Sequence, residues 1–154
     1  MIEVDSRSLH DRLGVEIAVS DWLEVTQARI NQFADATDDH QWIHVDPARA
    51  ATETPFKTTI AHGFLTLSLV TPLLFRTIEY STAHLTLNYG VNRVRFVTPV
   101  PAGSRVRGRF SPASVTSVDG GVQIAWAVTI EREGQEKPCA VVEWLVRYYT
   151  RHTI

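Results

Sequence analysis

One cysteine, Cys139, is all that the chain carries, so no internal disulfide can staple it and a reducing compartment is expected. Long apolar runs are missing too. The most membrane-like stretch, GFLTLSLVTPLLF from Gly63 to Phe75, falls short of the ~18 apolar residues that a spanning helix needs. Charge of either sign is not in excess: 15 Lys and Arg stand against 17 Asp and Glu, a formal net charge of −2. That balance offers no general attraction to nucleic acid or to an anionic membrane. The N-terminal MIEVDSRSLHDRLG holds acids and no apolar centre, so no secretory leader is expected and the protein reads as cytoplasmic. Also absent are repeats, low-complexity tracts, and the GxSxG, GxGxxG and GxxxxGK[ST] patterns of nucleophile elbows, dinucleotide sites and phosphate loops.

What is present suits one globular domain over residues 1–154, with 44% hydrophobic residues to build a core. The period of those residues divides the chain near Arg76. Before it, the pattern is mostly helical; after it, strands dominate. SLHDRL reads as a short helix ending at Gly14, and VEIAV as a first strand. Thr26 is a good N-cap for a helix with Ala28, Ile30, Phe33 and Ala34 at helical spacing, ending near Thr37. Asp46-Pro47 reads as an N-cap followed by proline at N1, opening a short helix DPARAAT. AHGFLTLSLVTPLLFRT is apolar nearly all round and predicts a long buried helix, with Pro72 bending or breaking its second half.

The strands that follow are HLTLNYG, VNRVRFV, SRVRGRFSPASVTSV, VQIAWAVTIERE and CAVVEWLVRYY. VQIAWAVTI alternates, placing Val122, Ile124, Trp126, Val128 and Ile130 on one face. Asp119-Gly120-Gly121 is a hairpin turn and Gly134 serves the next pair; Pro99, Pro101 and Gly103 interrupt the run after Val97. The layout is α+β: an antiparallel sheet wrapped around an apolar central helix, with an edge strand open to dimerisation.

Chemistry concentrates in TDDHQWIH, Thr37 to His44, read as the connection between two helices. A carboxylate and an imidazole can hold one water between them, and in a bent loop Asp39 and His44 can converge. On a continuous helix, residues five apart would point roughly 140° away from each other. Two other readings stand beside this one: helix-end solvation by Asp38 and Asp39 with a packed His44, and a metal set of His40 and His44 with Asp38, Asp39 and Asp46. Gly63, in AHGF, lies at the start of the buried helix, where unpartnered N–H groups suit an oxyanion; a plain turn is the alternative. His62 beside it reads as a capping or packed histidine. Cys139 sits on an apolar strand and reads as packing. Arg93, Arg95, Arg105, Arg107 and Arg109 alternate as a solvated face would, with one or two able to meet phosphates.

FADATDDHQWIHVDPARAA resembles the signature of the MaoC-like dehydratases, the (R)-specific enoyl-CoA hydratase family: an aromatic residue, then G-D-x-N-P-[LIV]-H, then a small residue. Asp39, Ile43, His44 and Ala50 occupy the matching positions, while IAHGFLTLSLV resembles the helix start and NYGVNRVRFVTPVPAG the following strands. The resemblance implies a hotdog fold and a homodimer acting on an enoyl-CoA or 3-hydroxyacyl-CoA, with no metal or redox cofactor. It gives Asp39 and His44 the water that adds to Cβ, and the Gly63 N–H the thioester oxygen. Gln41, Trp42, His62 and Ser68 are the expected substrate-binding residues, with Thr71 a further polar pocket candidate. Asp38, Gln41 and Trp42 stand where the family usually has Gly, Asn and Pro, which touches the substrate range more than the reaction. An acyl-CoA thioesterase of the same fold, or a non-catalytic acyl-CoA-binding module, are the alternatives.

Overall fold

In a computed structural model describing residues 1–5, 8–81 and 83–150, the large sheet is built from long antiparallel strands in the second half of the chain. They are β5 (Leu85–Phe96), β6 (Ser104–Val118), β7 (Gly121–Arg132) and β8 (Ala140–Tyr149). With β2 (Ala18–Val19), they are ordered β2-β6-β7-β8-β5, and β3 (Leu23–Val25) also pairs with β6. A separate parallel pair joins β1 (Ile2–Val4) to β4 (Ile78–Tyr80).

Local chemistry explains the turns. Val118 pairs with Gly121, leaving Asp119-Gly120 as a two-residue loop with Gly120 at φ 80°, a conformation that glycine adopts without penalty. HLTLNYG and VNRVRFV, expected as two strands, are one strand whose register slips between Asn88 and Gly90 and again between Val91 and Arg93. Pro112, which cannot donate to a ladder, sits at the bulge of β6. The three-residue strands β1, β3 and β4 went unread because so few residues carry no period; of VEIAV, only Ala18 and Val19 form a strand.

Helical segments are α1 (Gln27–Thr37), α2 (Trp42–Val45), α3 (Pro47–Glu53), α4 (Gly63–Ser68) and α5 (Val70–Phe75), besides a 3-10 turn at Ser8–Arg12. The caps are those expected: Thr26 accepts from Arg29 N at 3.2 Å, and Asp46 accepts from Arg49 N at 3.0 Å with Pro47 opening α3. Ile30 and Ala34 of α1 are buried and Phe33 half-buried, but Ala28 faces solvent. The expected long helix is split at Leu69 into α4 and α5. Pro72 has no N–H for the Ser68 carbonyl and its ring crowds that oxygen, so the ladder opens one turn upstream.

Nor is this segment buried all round. Leu65, Leu69, Val70, Leu73 and Leu74 pack into the core against Val106, Phe110, Ile124, Trp126, Val128 and Ile130 of the sheet, whereas Phe64 stays 69% exposed. The β7 face read from alternation is the inner one, with Val122 at its half-buried end. Each fully buried Leu, such as Leu74, contributes about 1.5–3 kcal/mol of transfer free energy. That packing fixes where the N-terminal end of α4, and therefore Gly63, can lie. No described helix is long and apolar enough to cross a membrane.

Candidate active site

The TDDHQWIH segment is not wholly a loop. Helix α1 ends because Asp38 turns left-handed, at φ 57° and ψ 20°. Asp39, His40 and Gln41 then run outside any helix, and one turn of α2 carries Trp42 to Val45. Asp39 is therefore outside the helical turn that holds His44, and the angular separation of a continuous helix does not apply. An aspartate tolerates the left-handed region better than most side chains, but glycine does so without strain. Asp38→Gly is expected to stabilise the protein by about 0.5–1 kcal/mol, read as a higher melting temperature. Asp38 and Asp39 are both exposed, so water screens the repulsion between the two adjacent carboxylates.

His44 is buried at 7% exposure. Its Nδ1 lies 2.6 Å from the carbonyl oxygen of Ile60, an acceptor only, so Nδ1 carries the hydrogen and Nε2 keeps a bare lone pair. The ring stacks on that of His62, centroids 3.8 Å apart and planes 27° apart. His62 is itself 3% exposed and its Nε2 donates to the main-chain carbonyl of Asp39 at 2.9 Å. One nitrogen of each histidine and a carboxylate oxygen of Asp39 all lie within 4.8 Å of one another. Burial pushes the His44 pKa below its ordinary value; the Ile60 bond pulls it back up, the neighbouring His62 lowers it further, and Asp39 raises it. The result is an imidazole neutral near pH 7, ready to accept a proton or hydrogen bond.

A cavity of about 270 Å³ opens beside this group, lined by His44, Gly63, Thr66, Phe96, Val97 and Cys139 among others. Gly63 is the first residue of α4, where an N–H has no partner in its own helix. Phe96 lies directly over it: a Cβ added at Gly63 would stand 2.7 Å from two ring carbons. Phe96 is 47% exposed and can swing aside, so Gly63→Ala is expected to fold. Its methyl and the displaced ring would occupy the approach to the N–H, lowering kcat/KM at least about tenfold with little change in melting temperature. Burial pushes the Cys139 thiol up, keeping it protonated and a poor nucleophile although it lines the cavity.

The structure thus brings Asp39, His44, His62 and Gly63 together. Of these, His44 and Gly63 line the cavity, while Asp39 and His62 stand against His44 outside its wall, and the other expected residues lie elsewhere. Gln41 is exposed, with no side-chain bond at the start of α2. Trp42 is half-buried beneath the Arg49 guanidinium at 4.1 Å, and Arg49 is held by Glu53 at 3.0 Å. Ser68 is exposed, donates to the Phe64 carbonyl at 2.8 Å, and with Thr71 lines a second depression of about 280 Å³ bounded by Asn88 and Tyr89.

The metal set read from sequence is not assembled, because His40 turns outward to Asp35 at 2.9 Å. Among the described residues, the one trio close enough to share an ion is Asp39, His44 and His62, and there the His62 Nε2 is already engaged by the Asp39 carbonyl. Arg105, Arg107 and Arg109 are taken up by Glu133, Glu131 and Glu16 at 3.0, 2.8 and 2.6 Å. Arg95 donates to the Val94 carbonyl at 2.8 Å.

Sequence reasoning missed the residues that hold the site. The Gln27 amide donates to the His44 carbonyl at 2.8 Å, while its oxygen accepts the Thr59 hydroxyl. Ile60 fixes the His44 tautomer, and Phe96 covers Gly63. None has a local signal, since each acts on a residue at least 16 positions away.

A sheet wrapped on short central helices, with a carboxylate and a neutral imidazole close to the start of one of them, is the layout of a hotdog protein. The MaoC-like domain model matches residues 9–133, most of the chain. A 3-hydroxyacyl-thioester dehydratase Z of Mycobacterium tuberculosis is 51% identical over 136 residues, 88% of this chain and 89% of the relative. Nodulation protein N of Rhizobium leguminosarum bv. viciae is 44% identical over 147 residues, 94% of this chain and 91% of its own. The unliganded R-hydratase PhaJ1 of Pseudomonas aeruginosa superposes with a TM-score of 0.69 at 24% identity, covering 90% of this chain and 83% of that one. The chain belongs to the MaoC-like dehydratase family. Its class is accordingly a hydro-lyase of the hotdog fold.

Proposed function

We propose that the protein is an (R)-specific enoyl-CoA hydratase, adding water to a trans-2-enoyl thioester to give the (R)-3-hydroxyacyl thioester, and reversing as a dehydratase. The observation that carries this reading is the convergence of the Asp39 carboxylate with His44, whose Nε2 is left bare by the Ile60 bond, beside a cavity that Gly63 also lines. Asp39 and His44 grip one water; as its oxygen bonds to Cβ, a proton passes to this pair. The π electrons move onto the thioester oxygen as an enolate, which the Gly63 N–H stabilises. One such donor is worth roughly 3–4 kcal/mol in the transition state. A proton delivered to Cα completes the addition. The name of the mycobacterial relative supports a hydroxyacyl thioester as the substrate class.

The same reading makes the protein a cytoplasmic homodimer. β5 is a sheet edge with Leu85, Leu87, Tyr89 and Val91 exposed along it, next to exposed Phe64, Phe96 and Val97. A second copy pairing along that edge would cover them; sedimentation giving a monomer at micromolar concentration would count against it.

The test is a series of trans-2-enoyl-CoA substrates of increasing chain length, following loss of the enoyl absorbance. Turnover without thiol release is expected. Release of free CoA thiol would favour a thioesterase instead, and binding without either reaction a non-catalytic module.

A further inference from the structure

His62 touches every part of the proposed centre, and packing alone does not account for it. We propose that His62 is the positioning residue of this site: its Nε2–H anchors the main chain of Asp39 and its ring backs that of His44, so that carboxylate and free Nε2 meet on one water. This rests on the hydratase reading above and adds to it a residue that need not touch substrate.

Three observations support it. The Nε2 bond goes to the Asp39 carbonyl, 2.9 Å away, and not to the carboxylate, whose Oδ2 is 4.0 Å from Nε2 and whose Oδ1 accepts a long bond from the Gln41 N–H at 3.5 Å. That bond spans 23 positions and ties the exposed stretch after α1 to the start of α4, whose first residue is Gly63. The ring face lies 3.8 Å from that of His44 and tilts 50° against Phe33 of α1, filling the space behind the base. Finally, the second nitrogen, Nδ1, is buried with no hydrogen-bond partner among the described residues. A phenyl ring would fill the same space without stranding a buried nitrogen. An imidazole tolerated at that cost is there for what its other nitrogen does.

Phenylalanine, glutamine and asparagine at position 62 separate the roles. His62→Phe keeps the stacked ring and deletes the donor. His62→Gln places an amide N–H near the Nε2 position. His62→Asn places one near Nδ1 and cannot reach Asp39. Displacement of the Asp39 chain by about an ångström should cost His62→Phe between about 10- and 100-fold in kcat, with KM held within about twofold. His62→Gln should recover most of kcat and His62→Asn should not.

His62→Phe within twofold of the parent kcat, or glutamine no better than asparagine, would overturn the inference. If phenylalanine unfolds the protein, the glutamine–asparagine pair still decides. Nitrogen NMR of the imidazoles supplies a reading without turnover: the hydrogen of His62 must be on Nε2, and finding it on Nδ1 overturns the proposal. A parent protein inert towards every enoyl thioester, yet with the Nε2 hydrogen in place, would sink the hydratase reading and leave the anchoring intact.

Discussion

Asp39→Asn is expected to lower kcat/KM for hydration about 1,000-fold while leaving the fold untouched. Asparagine keeps the outline of the side chain and removes the group that accepts the water proton; general base catalysis of this kind is worth about 10²–10⁴. Stability should hold because the side chain is 55% exposed and the bond that anchors this stretch uses the Asp39 main-chain carbonyl. Melting temperature and substrate affinity are the controls. A variant folded like the parent and active to within tenfold would remove Asp39 from the mechanism.

His44→Asn carries the second large effect. The asparagine amide can reproduce the Nδ1 donor to the Ile60 carbonyl, so the local fold persists, but nothing replaces Nε2. A loss of about 10²–10⁴ in kcat/KM is expected. In the parent, activity should fall on the acid side as His44 takes a proton, at a pH below its ordinary value of 6.5, because burial opposes the charge.

Stability follows the same sign. With the folded pKa below the unfolded one, the unfolded chain binds the proton first. The His44 contribution is therefore fully present above about pH 6.5 and declines as pH falls through the folded value. Urea unfolding at about pH 7.5 and about pH 5 measures it, and His44→Asn should flatten that part of the difference. An acid limb above 6.5, or one that survives in His44→Asn, would point to another group.

Signals carried by neighbouring residues were legible. The Thr26 cap, Asp46-Pro47, the Asp119-Gly120 turn and the inner face of β7 each depend on a few consecutive residues, and all four stand in the structure. Pro72 announced a bend or break, but placing it at Leu69 needs the helix ladder itself. The half-helical nature of TDDHQWIH was not legible, because the turn of α2 is four residues long and is held from outside by Gln27. His62 was read as packed or capping: it is packed, and its side chain makes no cap bond.

By itself the sequence determined the candidate groups for the proposed chemistry, a carboxylate, an imidazole and a glycine amide, and the periods that lay a sheet around apolar helices. Only the tertiary structure decided which nitrogen of His44 is bare, that His62 rather than His40 stands against it, and that Phe96 roofs Gly63. The reason is distance along the chain. A tautomer and a buried pKa are set by whatever lies within about 3–4 Å, and here those atoms come from Ile60 and His62, which no local pattern connects to His44.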